Sequence, residues 1–203
     1  MKLDLPAGDF AGYIFDCDGT LVDTMPLHYR AWDAAMRRAG LRGGLCEDLF
    51  YSLGGVPTRR VAELLGRHYG LPLDPDRVFV EKEEIFLELQ DELQVIGPVV
   101  DFAREAARRA PVSVASGGPK PIVRQTLERV GLAGLFSIVI TPEDVTHGKP
   151  APDMFLLAAE RMRVPPGQCL VFEDAEPGVQ AAKAAGMRWV FVPSRAMARP
   201  ARG

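Results

Sequence analysis

The chain has 203 residues, of which 47% are hydrophobic and 25% charged, a globular composition that excludes a disordered or collagen-like chain and suffices for a sizeable core. Its formal net charge of −3 gives no general attraction to nucleic acid or to an acidic membrane surface. Cys17, Cys46 and Cys169 match no metal or disulfide spacing, and no apolar run reaches signal-peptide or membrane-spanning length, so a cytoplasmic protein with reduced thiols is expected.

In chain order, Tyr13-Ile14-Phe15 predicts a short buried strand that runs directly into Asp16 and Asp18. In extended backbone the two acids project to one side, and Cys17 projects to the other, into the core. Like charges held so close repel each other. A divalent cation would relieve them, and Gly19 lets the backbone turn around it.

Beyond Thr24 the period changes to that of a helix. Tyr29, Trp32, Met36 and Ala39 form an apolar stripe stopped by Gly40, and His28 lies just before it, close to the acidic loop. Residues 41–53 read as irregular. Thr58 reads as the N-cap of a second helix carrying Val61, Leu64 and Leu65 and ended by Gly70. LPLDPD reads as a turn, followed by a third helix over 77–93 with Phe86, Leu89 and Leu93 on its apolar side. Residues 26–94 therefore form a helical insert without a strand signal.

From residue 98 the chain alternates. Helices are predicted over 99–109, 122–130 and 178–185, with another from Asp153 bearing Phe155, Ala158, Ala159 and Met162. Strands are predicted over 112–115, 138–140, 170–172 and 189–192. The fold class that follows is α/β, a Rossmann-like parallel sheet with helices on both faces, formed by residues 1–25 and 95–203, plus a small inserted all-α domain. The closing RAMARPARG reads as a frayed basic tail with no assigned role.

In such a sheet, ligands bind beyond the carboxyl ends of the strands. The residues there are Asp16 and Asp18, Ser116-Gly117-Gly118, and Glu173-Asp174. Ser116 offers a hydroxyl, and the glycines let backbone N–H groups approach an anion at a helix N-terminus. Lys149, in HGKPAPD, precedes a helix, and His147 reads as a loop residue. Taken singly, each is ordinary: an acidic turn, a glycine turn, a solvated lysine.

Taken together they are specific. DCDGTLVDT resembles the first motif of the haloacid dehalogenase-like phosphotransferases, Ser116 their second-motif phosphate ligand, HGKPAPD the third motif, and Glu173-Asp174 before AEPGVQAAKAAG the fourth. The matches span Tyr13 to about Val192 in the expected order. The resemblance implies Asp16 as nucleophile, Asp18 as general acid and base, and Lys149 offsetting the charge of nucleophile and phosphate. It also implies Mg²⁺, held by the Asp16 carboxylate, the Asp18 backbone carbonyl and Asp174, with Glu173 in support or reaching the metal through water.

In this superfamily the helical insert is the cap that selects the substrate. DTMPLHYRAW is similar to the branch containing beta-phosphoglucomutase and small sugar-phosphate phosphatases, which turns Thr24 and His28 toward the substrate. The mutase pattern carries an arginine where GVPT has Thr58, and Arg59 stands one place late. LGGVPTRRVAELL, HGKPAPDMFLLAAERM and QCLVFEDAEPGVQAAKAAGM look more like the fructose-1-phosphate and 6-phosphogluconate phosphatase group. The expectation is a Mg²⁺-dependent phosphatase of a small phosphorylated metabolite, a monomer or weak homodimer, that binds substrate through Ser116, Gly117, Thr24, His28 and Arg59. A mutase is the alternative and would need a cationic cap residue, Arg59 or Arg60, to hold a second phosphate. A non-catalytic binding module comes third, because Asp16, Asp18 and Lys149 are all present.

Overall fold

The computed structural model describes residues 3–54 and 56–193, and the basic tail lies outside the described residues. Five strands, β1 (Gly12–Phe15), β2 (Val112–Ala115), β3 (Ile138–Ile140), β4 (Cys169–Glu173) and β5 (Arg188–Phe191), form one sheet in the order β3-β2-β1-β4-β5. All neighbours are parallel. Phe15 pairs with Val114 on one side and Phe172 on the other, so the residues just past β1, β2 and β4 meet at one end of the sheet. The chain builds outward from β1 to β3 and then returns to place β4 on the other flank of β1. That reversal is where open α/β sheets form their crevice.

Helices cover both faces. On one, Phe15, Val114 and Phe172 pack with Val99 and Ala103 of α5 (Gly97–Ala107) and Val123 and Leu127 of α6 (Lys120–Arg129). Phe15 stacks on Phe172 with ring centroids 4.7 Å apart, and Cys17 is buried in the same cluster. On the other, Ile14 and Val171 pack with Phe155 and Ala158 of α7 (Asp153–Met162) and Ala181 and Ala182 of α8 (Glu176–Ala184). Each large apolar side chain closed off in this way is worth about 1.5–3 kcal/mol. The central strand is thereby held rigidly on both sides.

The insert consists of α1 (Met25–Arg38), α2 (Glu47–Ser52), α3 (Thr58–Tyr69) and α4 (Pro75–Glu88), packed on a core of their own that includes Trp32, Met36, Phe50, Leu65 and Phe86. The two passages joining it to the sheet run side by side: Val22 bridges Val95, and Ile96 N donates to Leu21 O at 2.8 Å. Three expectations need correction. Residues 41–53 include α2, whose six residues are too few for a helical period to register. Thr58 is the first helical residue of α3 rather than its cap, because extended Pro57 occupies that place. α4 begins inside the stretch read as a turn, because the Asp74 side chain accepts from the backbone N–H groups of Asp76 and Arg77, and it ends at Glu88 in a short 3-10 turn. No helix among the described residues is long and apolar enough to cross a membrane. The three thiols are free, Cys46 exposed and the others buried.

Candidate active site

Asp16 continues the β1–β4 ladder through its backbone N–H, which donates to Phe172 O at 3.0 Å, and the residue is 5% exposed. Lys149, equally enclosed, donates from Nζ to Asp16 Oδ1 at 2.7 Å and to Glu173 Oε1 at 2.5 Å. The other oxygen of Glu173 accepts from Ala175 N at 2.9 Å, at the entry to α8. Glu173 is thus a strut that locks Lys149 against Asp16. Burial would lower the lysine pKa, but its two carboxylate partners outweigh that and raise it, so Nζ stays charged.

The acids themselves are under electrostatic load. Desolvation, together with the charges of Glu173 and Asp18, pushes Asp16 up to about 7 against the pull of Lys149. Desolvation and the neighbouring Asp16 and Glu173 charges push Asp174 well above the carboxylate range. One ligand oxygen from each of Asp16, Glu173 and Asp174 lies within 4.8 Å of the others. Hard oxygen donors, crowded and short of positive charge, suit a hard divalent cation. With Glu173 already engaged by Lys149 and Ala175, the carboxylates left to such an ion are those of Asp16 and Asp174. Thr20 Oγ1 donates to Asp174 Oδ1 at 3.4 Å. Gly19 has φ +84, and a Cβ there would stand 2.1 Å from Asp174 Oδ2, so the loop needs glycine both for its turn and for this approach.

Asp18 has a different environment. Ser116 Oγ donates to its Oδ2 at 3.3 Å and in turn accepts from Gly118 N at 3.1 Å. His28 Nε2 lies 3.4 Å from its Oδ1. Desolvation would raise the Asp18 pKa, but His28, the Thr24 hydroxyl and the charge of Lys82 more than offset it, bringing it down to about 2. Thr24, expected to face the substrate, is instead fully buried and outside the cavity lining, and its Oγ1 has no hydrogen-bond partner, so its contribution is weaker than that of His28. His28 stacks on Phe86 of α4 with centroids 4.0 Å apart, which fixes the ring over Asp18.

These residues floor a cavity between sheet and insert. Its enclosed volume is about 120 Å³, and it opens to solvent at its mouth. Asp16, Asp18, His28, Gly117, Lys149, Glu173 and Asp174 line it. Ser116 lies just behind, fully buried. Arg59 does not join them. It sits on the outer surface, its guanidinium paired in two places with Asp76 at 2.9 and 3.0 Å, because position 59 faces away from the packed side of α3. Arg60 is likewise paired with Glu63. His147 is an exposed loop residue against Asp153. The cation in the cavity wall that sequence reasoning missed is Lys82 of α4, 2% exposed, with Glu83 beside it. The available signal was its spacing: Lys82 lies four residues before Phe86, on the apolar side of the helix.

Comparison with known proteins identifies the family. Residues 10–186 match the model of the haloacid dehalogenase-like hydrolases. The chain is 41% identical over 184 residues to the fructose-1-phosphate phosphatase YqaB of Escherichia coli, covering 90% of this chain and 96% of that protein. It is 33% identical over 182 residues to a phosphorylated carbohydrates phosphatase of Thermotoga maritima, covering 88% and 82%. Among solved structures, CbbY from Rhodobacter sphaeroides in complex with phosphate superposes with a TM-score of 0.78 at 28% identity, covering 89% of this chain and 84% of that one. The chain therefore belongs to the haloacid dehalogenase-like hydrolases, and to their phosphatases.

Proposed function

We propose that the protein hydrolyses the phosphate monoester of a small phosphorylated sugar, using Mg²⁺ and an aspartyl-phosphate intermediate. The observation that carries the reading is the pair of aspartates in opposite electrostatic states, Asp16 clamped by Lys149 and Asp18 held by Ser116 and His28. Two carboxylates separated in this way divide nucleophile from acid and base. The sugar class is suggested by the activities of the E. coli and T. maritima relatives.

Lys149 orients the Asp16 carboxylate and offsets its charge as the phosphate approaches. Mg²⁺, when bound at Asp16 and Asp174 with the Asp18 backbone carbonyl, supplies further positive charge and keeps Asp16 ionised. Asp16 forms a bond to phosphorus while the bond to the leaving oxygen breaks, and Asp18 gives that oxygen a proton. Asp18 must be protonated for this step. The arriving phosphate charge raises its pKa from the low value that His28 and Lys82 give it, so proton uptake accompanies substrate binding. In the second half Asp18, again a carboxylate, takes a proton from water as its oxygen attacks phosphorus, and Asp16 is released with inorganic phosphate. Ser116 and Gly117 belong to the phosphate cradle, and His28 positions Asp18 under the cap.

The mutase reading loses support because Arg59 and Arg60 are engaged with surface acids. A free exposed thiol at Cys46 suits the cytoplasmic setting that goes with the proposal. The deciding experiment is phosphate release with Mg²⁺ from fructose 1-phosphate, 6-phosphogluconate and beta-glucose 1-phosphate, with glucose 6-phosphate followed in parallel. Release from one or a few sugars supports hydrolysis. Glucose 6-phosphate without free phosphate would replace it with the mutase, and no turnover would leave a binding module.

A further inference from the structure

The cap wall of the cavity carries a charge pair that the chemistry above does not use. Lys82 and Glu83 are neighbours on α4, both enclosed, with Lys82 Nζ donating to Glu83 Oε1 at 3.0 Å. Lys82 also lies over the rings of Trp32 and Phe86, at 6.0 and 5.2 Å from their centroids. The second carboxylate oxygen, Glu83 Oε2, is buried without any hydrogen-bond partner. A carboxylate oxygen closed off from water and unpartnered is costly, and the protein around it supplies no donor. Glu83 lines the cavity, so a ligand entering there can supply one. The terminal torsion of a glutamate is soft, so Oε2 can turn to meet an entering donor without a rotamer change.

A second buried atom in this wall is also without a partner, His28 Nδ1. Its ring already directs Nε2 at the Asp18 carboxylate, which accepts only. A neutral imidazole so placed offers Nδ1 as an acceptor as well. The cap thus presents acceptors, and its cation is already offset by Glu83.

We infer that Glu83 selects the leaving group: it accepts a hydrogen bond from a substrate hydroxyl, so the cavity takes phosphate esters whose far end is polyhydroxylated and uncharged and disfavours those with a second anionic group. The inference rests on the phosphatase reading and narrows it. Of the two sugar-phosphate types expected from the sequence, it favours the fructose 1-phosphate type over 6-phosphogluconate, whose carboxylate would meet Glu83.

The test is kcat/KM with Mg²⁺ for the wild type on fructose 1-phosphate, its monodeoxy analogues, 6-phosphogluconate and para-nitrophenyl phosphate. One deoxy position should cost about tenfold or more, because a site built to bind a hydroxyl penalises its absence by leaving its own polar group unpaired. Fructose 1-phosphate should exceed 6-phosphogluconate. Glu83→Gln should then raise the ratio of 6-phosphogluconate to fructose 1-phosphate by about tenfold, since it removes the repelling charge and keeps the shape. Equal rates on all deoxy analogues, or a wild-type preference for 6-phosphogluconate, would overturn the inference, and both are read on the wild type, whatever the stability of the variant. A uniform fall on every substrate in Glu83→Gln would also overturn it, leaving Glu83 a structural partner of Lys82. No phosphate release from any ester, para-nitrophenyl phosphate included, would instead bring down the phosphatase reading itself.

Discussion

Gly178 in the first turn of α8 lies so close to Glu173 that a Cβ there would stand 1.8 Å from Glu173 Oε1 and 2.0 Å from its Cδ. The bare backbone at 178 is what allows the Glu173 carboxylate to fold back toward Ala175 N and Lys149. Gly178→Ala should displace Glu173 and loosen Lys149 from Asp16. We expect kcat to fall by about 10–100-fold, as when a supporting group of a polar site is lost. Stability should drop by about 1–3 kcal/mol, from overpacking. Steady-state kinetics and a urea melt check both, and a variant with native kcat would show that Glu173 does not hold the lysine in place.

The raised pKa of Asp16, about 7 against 3.8 in the unfolded chain, makes a pH prediction for protein stripped of divalent metal. Between those values the folded state binds more protons than the unfolded one, so the contribution of this group to stability is complete below pH 3.8 and is lost as pH rises through about 7. Asp174 is shifted in the same direction. Melting temperatures in EDTA should therefore fall from pH 5 to pH 8 more steeply for wild type than for Asp16→Asn. Mg²⁺ should flatten the wild-type slope, since it holds both acids ionised. Parallel slopes for the two proteins in EDTA would contradict the crowding of carboxylates at this site.

Asp16→Asn keeps the shape of the side chain and removes the nucleophile. Turnover should fall by about three orders of magnitude or more, with a native circular dichroism spectrum. A variant retaining a tenth of wild-type rate would remove Asp16 from that role. Asp174→Asn should raise the Mg²⁺ concentration for half-maximal rate by about tenfold or more, and an unchanged Mg²⁺ dependence would take Asp174 out of the metal site.

Lys149→Met leaves Asp16 and Glu173 buried without their shared cation. Breaking such a pair from one side costs about 3–5 kcal/mol. Stability measured at pH 7.5 in EDTA should fall by that order. It should recover partly at pH 5.5, where Asp16 can take up a proton, and no recovery would show that the loss comes from packing rather than charge.

Arg59→Ala should change kcat/KM by about twofold or less. Its exposed pair with Asp76 should contribute no more than about 1 kcal/mol to stability. A tenfold rise in KM would bring Arg59 back to the substrate.

The residues show why some of this was legible in the chain and some was not. Tyr13-Ile14-Phe15 ahead of Asp16, the alternation after residue 98, and Gly70, Gly131 and Gly186 at helix ends are local signals, because backbone conformation and the face a side chain takes follow from near neighbours. The sequence by itself therefore determined the strands, most of the helices and the loop ends on which Asp16, Asp18, Ser116, Lys149 and Asp174 stand. It could not reveal α2, six residues held by packing of Phe50 against the cap core, nor the outward turn of Arg59. Nor could it pair Lys149 with both Asp16 and Glu173, whose separations along the chain are 133 and 24 residues. Those partners meet because β1 lies beside β4 in the sheet, and Lys82 and Glu83 reach the cavity because α4 packs on α1 over it. Contacts between distant segments depend on how whole elements dock, and burial then shifts their charges. Only the tertiary structure decided which acid holds the lysine, which cap cation lines the cavity, and which carboxylate oxygen still lacks a partner.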